Sequence, residues 1–410
     1  MKKQLQIPVL SVCLLLLAFS TLAAENWHQW RGPQSNGHSR ATNIPTTWTA
    51  DSVTWKTPIP GVGQSTPVTW GSRIFLTSAS DNGNQRHVYC VDSSSGKILW
   101  QRKAWEGTAE PSHSMNNRAS ATCVTDGERV IAFFGRGGIH CFDLDGTPLW
   151  SKQLGSFPGP WGTAASPIIV GPLVIQNCDA DETAFITALD KKTGEPAWKV
   201  ERQGIRGWSS PVAITRGERE EVVLNGHSAV TAYNPANGDI LWTLKTTAGR
   251  GTPTVTPTAD FLITLCGLSG DMIAVRPGGN GDVTSSHVLW RTPRSGGRDL
   301  PSPIVVGNYL LIARLRPALV TCYDVSTGHE LWTERMEGGF SSSPIVANGL
   351  VYAINESGTT YVIKPGPKPQ VIATNKLGAG TEEIFRASPT PFDGHLLLRS
   401  DRVLYCVTGK

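Results

Sequence analysis

Tyr323-Asp324-Val325-Ser326-Thr327-Gly328-His329-Glu330-Leu331-Trp332 decides the fold of this chain. Val320 to Asp324 is apolar and β-prone, Ser326-Thr327-Gly328 closes a tight turn whose glycine can take a positive φ, and Glu330 to Trp332 starts a return strand. The unit is a hairpin that ends on an indole. It recurs at Val91-Asp92 to Trp100, Leu189-Asp190 to Trp198 and Tyr233-Asn234 to Trp242, and one residue shorter at Phe142-Asp143 to Trp150.

Upstream of each hairpin stands a second marker, a small residue followed by proline or threonine and β-branched residues. It reads Ser65-Thr66-Pro67, Ser120-Ala121-Thr122, Ser166-Pro167, Ser210-Pro211, Thr252-Pro253-Thr254, Ser302-Pro303, Ser343-Pro344 and Ser388-Pro389. Proline is tolerated at the first residue of a strand, so these are strand starts. Trp-bearing strands end at Trp55, Trp100, Trp150, Trp198, Trp242, Trp290 and Trp332, with Val371-Ile372 taking that place in the next copy. Their spacing, about 46 residues, is that of four-stranded propeller blades.

The ends of the pattern predict how it closes. The last copy, Ser388 to Val407, has three strands and stops before a fourth, while Val53 to Lys56 is a Trp-bearing strand with nothing before it. Pairing the two makes an all-β, eight-bladed propeller of four-stranded antiparallel blades and removes the open ends that invite aggregation. The predicted organisation is therefore an export signal over 1–24, an N-terminal arm over 25–52 packed on the body, and the propeller over 53–410.

Composition agrees. The 410 residues include 43 glycines, 28 prolines and 14 tryptophans, which suits short strands joined by turns. The formal net charge of +4 includes Lys2 and Lys3, and no basic run follows, so a nucleic-acid partner is not expected. Lys2-Lys3, the apolar run Val9 to Phe19 and the small residues at Thr21 to Ala24 form a secretory signal. The apolar run is shorter than the roughly 20 residues that span a bilayer, and no cysteine follows the small-residue site. A periplasmic or secreted, unanchored monomer is expected. Cys90, Cys141, Cys322 and Cys406 occupy one register of the repeat where other copies have alanine, which predicts small buried core positions, not disulfides or a metal site.

Val-Asp-x-x-x-Gly-x-x-x-Trp with Ser-Pro starts resembles the PQQ-like β-propeller repeat of quinoprotein dehydrogenases and of the outer-membrane assembly lipoprotein. Trp30-Arg31-Gly32-Pro33, Thr125 to Val130 with Phe134-Gly135, and Leu189 to Gly194 make it most similar to exported bacterial propellers of that family. The resemblance covers nearly all of 25–410. It implies the fold, and it implies one of two functions, because members of this family serve as scaffolds or as enzymes. The enzymes carry adjacent cysteines over the cofactor and an acidic calcium set; no two cysteines are adjacent here.

In a propeller, the loops between blades and those joining the second and third strands share one face around the axis. Counting two residues upstream of each marker gives Gly63, Arg118, Ala164, Trp208, Arg250, Leu300, Ser341 and Arg386. Arg118, Arg250 and Arg386, with Trp208, are thus candidates for a ring that binds a carboxylate or phosphate. Asp179, Arg314 and Arg399 join from the second-to-third-strand loops, and His113 from the long loop Ala104 to Arg118, which reaches over the opening. Pro277 to Asp282 reads as a flexible turn. The leading expectation is a non-catalytic scaffold for a small anionic ligand or a protein partner, with no metal site. The competing one is a PQQ- and calcium-dependent alcohol or sugar dehydrogenase.

Overall fold

Val53–Pro58 pairs antiparallel with Val403–Thr408, so the first strand of the chain becomes the outer strand of the last sheet. The computed structural model describes residues 25–409 except 269 and 295, and the expected export signal lies outside the described residues. Eight antiparallel sheets follow in chain order, blade 1 beginning at Val68–Trp70 and blade 8 at Thr390–Phe392. Each runs from an inner strand to an outer one in sequence order, blade 8 borrowing its outer strand from the start. Expectation and structure agree on an eight-bladed β-propeller. The marker prolines sit one residue outside the strands: Pro67, Pro167, Pro211, Pro303, Pro344 and Pro389 immediately precede them.

The apolar core is distributed between blades and not gathered at one centre. Eight buried clusters each join neighbouring sheets; one packs Phe75, Val88 and Trp100 of blade 1 against Val130, Ala132 and Phe142 of blade 2.

The Asp, Gly and Trp of the repeat are explained together. The outer-strand indoles of Trp55, Trp100, Trp150, Trp198, Trp290 and Trp332 donate to a carbonyl of the next blade, at 2.8–3.0 Å. Five of those rings lie on the turn glycine of that neighbour. A Cβ on Gly96, Gly146, Gly194, Gly238 or Gly328 would stand 2.5–2.8 Å from the indole, and each of these glycines has positive φ. Asp324 Oδ1 meanwhile accepts from the amides of Ser326 and Thr327, holding the turn that presents the glycine. Directly across the sheet from each tryptophan stands the small residue: Cys90, Cys141, Ala188, Ala232, Ala274, Cys322 and Cys406 face Trp100, Trp150, Trp198, Trp242, Trp290, Trp332 and Trp55. The Ala-or-Cys rule is thus the space an indole needs.

Trp242 departs from the pattern. Blade 5 replaces the tight turn with the Pro277 to Asp282 segment, of which Gly281–Asp282 pairs parallel with the outer strand of blade 4. This corrects the reading of that segment as only a flexible turn. Trp242 is covered completely, and its indole N–H donates to the buried Glu221 carboxylate at 2.7 Å.

The arm crosses the far face. Trp27 exchanges hydrogen bonds with Thr69 of blade 1. The His28 carbonyl accepts from Thr125 of blade 2, and Arg31 donates to the Pro303 carbonyl beside blade 6. The backbone then exchanges bonds with Val346 of blade 7 through Gly37 and Ser39.

At the axis the blades are tied by a closed circuit. The amides of Thr66, Thr122, Ser166, Ser210, Thr254, Ser302, Ser343 and Ser388 each donate to the side-chain hydroxyl of the next member, and Ser388 donates back to Thr66. All eight bonds measure 2.8–3.1 Å, and all eight residues are buried.

Gly194→Ala and Gly171→Ala separate the indole contact from backbone strain. Both glycines have positive φ, but Gly171 faces open space while Gly194 abuts Trp150. In chemical denaturation Gly171→Ala is expected to cost about 1 kcal/mol and Gly194→Ala roughly 1–3 kcal/mol more.

Candidate functional site

The hydroxyl circuit sets the register of the face above it. Because its members in blades 1, 2 and 5 are Thr66, Thr122 and Thr254, the positions two residues upstream are Gln64, Ser120 and Thr252, not Gly63, Arg118 and Arg250. With Ala164, Trp208, Leu300, Ser341 and Arg386 from the other blades, they line a cavity of about 230 Å³ on the axis. In all three blades the marker contains two hydroxyl residues, Ser65 and Thr66, Ser120 and Thr122, or Thr252 and Thr254, and the circuit uses the second of each pair.

Four candidates meet at this mouth: His113, Trp208, Arg250 and Arg386. The Trp208 indole N–H is held by the Gly162 carbonyl at 2.9 Å. Arg386 pairs with Glu356 at 2.7 Å and reaches the Met115 carbonyl at 3.4 Å. The Arg250 guanidinium lies 5.3 Å from the centre of the Trp161 ring, and His113 stacks on the same indole at 5.0 Å with 23° between the planes. Burial, and then the neighbouring Arg298 and Arg206, hold Arg250 below its ordinary pKa.

The other four candidates lie elsewhere. Arg118, its φ at +68°, braces the base of the long loop by donating to the carbonyls of Glu110 and Asn82. Asp179 is buried against Arg202 at 2.9 Å. Arg314 shares Asp299 with Arg294. Arg399 is buried at the seam between blades 8 and 1, where it donates to the carbonyls of Ser65 and Thr77, and burial lowers its pKa to about 9. It holds the ring closed. Long side chains on inter-blade loops find carbonyls and carboxylates of the next blade as readily as a ligand, and position in the repeat does not distinguish the two cases.

Reasoning from the repeat missed Trp30, Met115, Trp161 and Arg298, all in irregular segments. Trp30 comes from the arm and lines the cavity together with Thr66 and Ser388 of the circuit, so the arm supplies part of its floor. The long loop does reach over the opening. Its base is fixed by the buried Arg86–Glu110 pair at 2.8 Å and by Asn116, which donates to the carbonyls of Trp161 and Thr163. Its tip carries Met115 to Arg298, whose N–H lies 3.8 Å from the thioether sulfur.

The donor set does not suit calcium. No carboxylate lines the cavity, and no cluster of three or more His, Cys, Asp or Glu side chains arranged to hold a metal occurs among the described residues. A divalent hard cation takes several oxygen ligands, usually including carboxylates, whereas this wall carries three guanidinium groups.

The fold and mouth define a PQQ-like repeat propeller. The family described as "Outer membrane protein assembly factor BamB" matches residues 46–160, 86–275 and 269–366, and the chain belongs to that family. The protein of that description from Burkholderia pseudomallei (strain K96243) is 24% identical over 276 residues, covering 65% of this chain and 64% of the relative. Among solved structures, BamB from Moraxella catarrhalis superposes with a TM-score of 0.64 at 17% identity, covering 87% of this chain and 97% of that one. A europium-containing methanol dehydrogenase gives 0.69 at 13% identity, covering 91% of this chain and 89% of that one. At these identities the superpositions establish the fold alone.

Cys90, Cys123, Cys141, Cys178, Cys266, Cys322 and Cys406 are free and buried. Burial pushes Cys90, Cys141, Cys322 and Cys406 up to about 12, which leaves these four as neutral thiols. An alkylating reagent at pH 8 is expected to label none of the seven in the native protein and all seven after unfolding. Because these thiols ionise near 9 when unfolded and only near 12 when folded, their contribution to stability is complete below pH 9 and is lost as the pH rises through that interval. A denaturation series from pH 8 to pH 12 measures this.

Proposed function

We propose that this chain is an exported, non-catalytic binding propeller that receives a small anionic ligand or a segment of a protein partner on its loop-rich face. The observation that carries the reading is the make-up of the mouth. Guanidinium groups, indoles and hydroxyls converge there without a carboxylate. Such a surface binds and orients anionic groups, and its one ordinary general base is an imidazole with no nucleophile beside it. His113, the histidine in the lining, accepts the Met115 amide at Nδ1 and stacks on Trp161; among the described residues no hydrogen bond joins it to a serine or cysteine side chain.

The name of the family, with its reference to outer-membrane protein assembly, supports a protein partner and a location outside the cytoplasm. Among the described residues no helix is long and apolar enough to cross a membrane. The closed ring satisfies its own edges at the seam, which fits a monomer.

The dehydrogenase alternative requires calcium to hold and polarise the quinone and a carboxylate to take the substrate proton, and the lining offers neither the metal's usual ligands nor the base. Reconstitution decides between the readings. Purified protein incubated with PQQ and Ca²⁺ is expected to show no dye reduction with alcohols or aldose sugars. Stoichiometric quinone binding with turnover would overturn the scaffold reading.

A further inference from the structure

Arg250 and Arg298 face the same cavity, and neither has a carboxylate partner among the described residues; the ion pairs of the surrounding loops are made by Arg206, Arg294, Arg314 and Arg386. Two like charges near one another on a partly dehydrated wall repel, and Arg298 contributes to the lowered pKa of Arg250. An anion placed between them relieves that repulsion and can accept from both guanidinium groups. The rest of the cavity calls for a different chemistry. Trp30, Trp161, Trp208 and Leu300 supply apolar surface, and the Trp161 indole N–H is buried without a hydrogen-bond acceptor.

The depth of the cavity limits what can enter. Residues 27–39 cross the far face from blade 1 to blade 7, with Trp30 in the cavity lining, so an occupant cannot thread through and continue on the other side. At about 230 Å³ the space lies below the usual range of drug-sized pockets, roughly 300–1,000 Å³. It suits one apolar group ending in one anionic group.

We propose that the mouth is a capture site for an aromatic or aliphatic monocarboxylate, with the carboxylate on Arg250 and Arg298 and the apolar body on Trp161 and Trp208 above Trp30. The same chemistry is offered by a free organic acid and by the C-terminal residue of a polypeptide. Met115, whose sulfur accepts from Arg298, stands beside the carboxylate position at the rim of the cavity. The assignment rests on the binding-scaffold reading and narrows it to a ligand class.

The test uses residues 25–410 and four probes followed by intrinsic tryptophan fluorescence and calorimetry: 3-phenylpropionate, 3-phenylpropionamide, the tripeptide Gly-Gly-Phe with a free C-terminus, and the same tripeptide amidated. Both acids are expected to bind at least about tenfold more tightly than their amides. Arg250→Gln and Arg298→Gln are each expected to lower acid affinity by about tenfold or more, while Arg402→Gln, outside the cavity, leaves it unchanged. A tighter tripeptide assigns a polypeptide terminus as the source, and a tighter free acid assigns a small molecule. Equal affinity for acid and amide, no binding of either acid, or acid binding unaffected by both mouth variants overturns the proposal. Such a failure leaves the scaffold reading standing, because that reading falls only on PQQ-dependent turnover.

Discussion

The structure depends on a hydrogen-bond circuit that no single blade can complete. Each inner strand donates a buried amide to the hydroxyl of its neighbour, and the eighth returns to the first through Ser388 and Thr66. A buried amide left without an acceptor costs about 1–3 kcal/mol, so each blade needs the next in place. Strand exchange at the rim imposes the same condition, since the sheet of blade 8 is incomplete until Val53–Pro58 is added. Arg399 completes the seam between axis and rim by bonding carbonyls of blade 1 from blade 8. Chain ends, inner ring and outer ring are therefore coupled.

On that ring the repeat supplies adhesion and the irregular loops supply chemistry. Indole on glycine is an inter-blade contact that any pair of neighbours can make, which explains its recurrence from Trp55 to Trp332. The loops above the ring differ in length and composition, and only there do Arg250, Arg298, His113 and Trp161 come together. The arm crosses the opposite face and makes the channel a blind recess. A propeller constructed in this way can change its ligand by changing loop residues without disturbing the packing that closes it.

Much of the fold was legible because the features that define it are local and repeated. The Asp-turn-Gly-Trp hairpin predicts the outer half of each blade, and the isolated strand at Val53 predicts closure. The small position filled by alanine or cysteine is readable for the same reason, although its cause, the indole across the sheet, needed the pairing register. Blade 5 resisted because its tight turn is replaced by a longer segment that pairs with blade 4. The site was less legible. Trp208 and Arg386 follow from counting along the repeat, but hydroxyls at Ser120 and Thr122, or at Thr252 and Thr254, leave the register open by two residues, and that shift separates Arg118 from the mouth. Arg250 reaches the cavity despite the shift, because its side chain lies along Trp161. Nothing in the repeat says that Trp30 of the arm or Met115 of the long loop would approach the axis, since both depend on contacts between distant parts of the chain.

Hydrogen–deuterium exchange on residues 25–410, with and without 3-phenylpropionate, tests most directly whether a rigid closed ring carries an adaptable mouth. The expected result is that the amides of Thr66, Thr122, Ser166, Ser210, Thr254, Ser302, Ser343 and Ser388 exchange only by global unfolding in both samples. Ligand-dependent protection should appear in the loops spanning 107–121, 246–253 and 296–301. Exchange of the circuit amides at loop rates, or ligand protection confined to the outer strands, would contradict it.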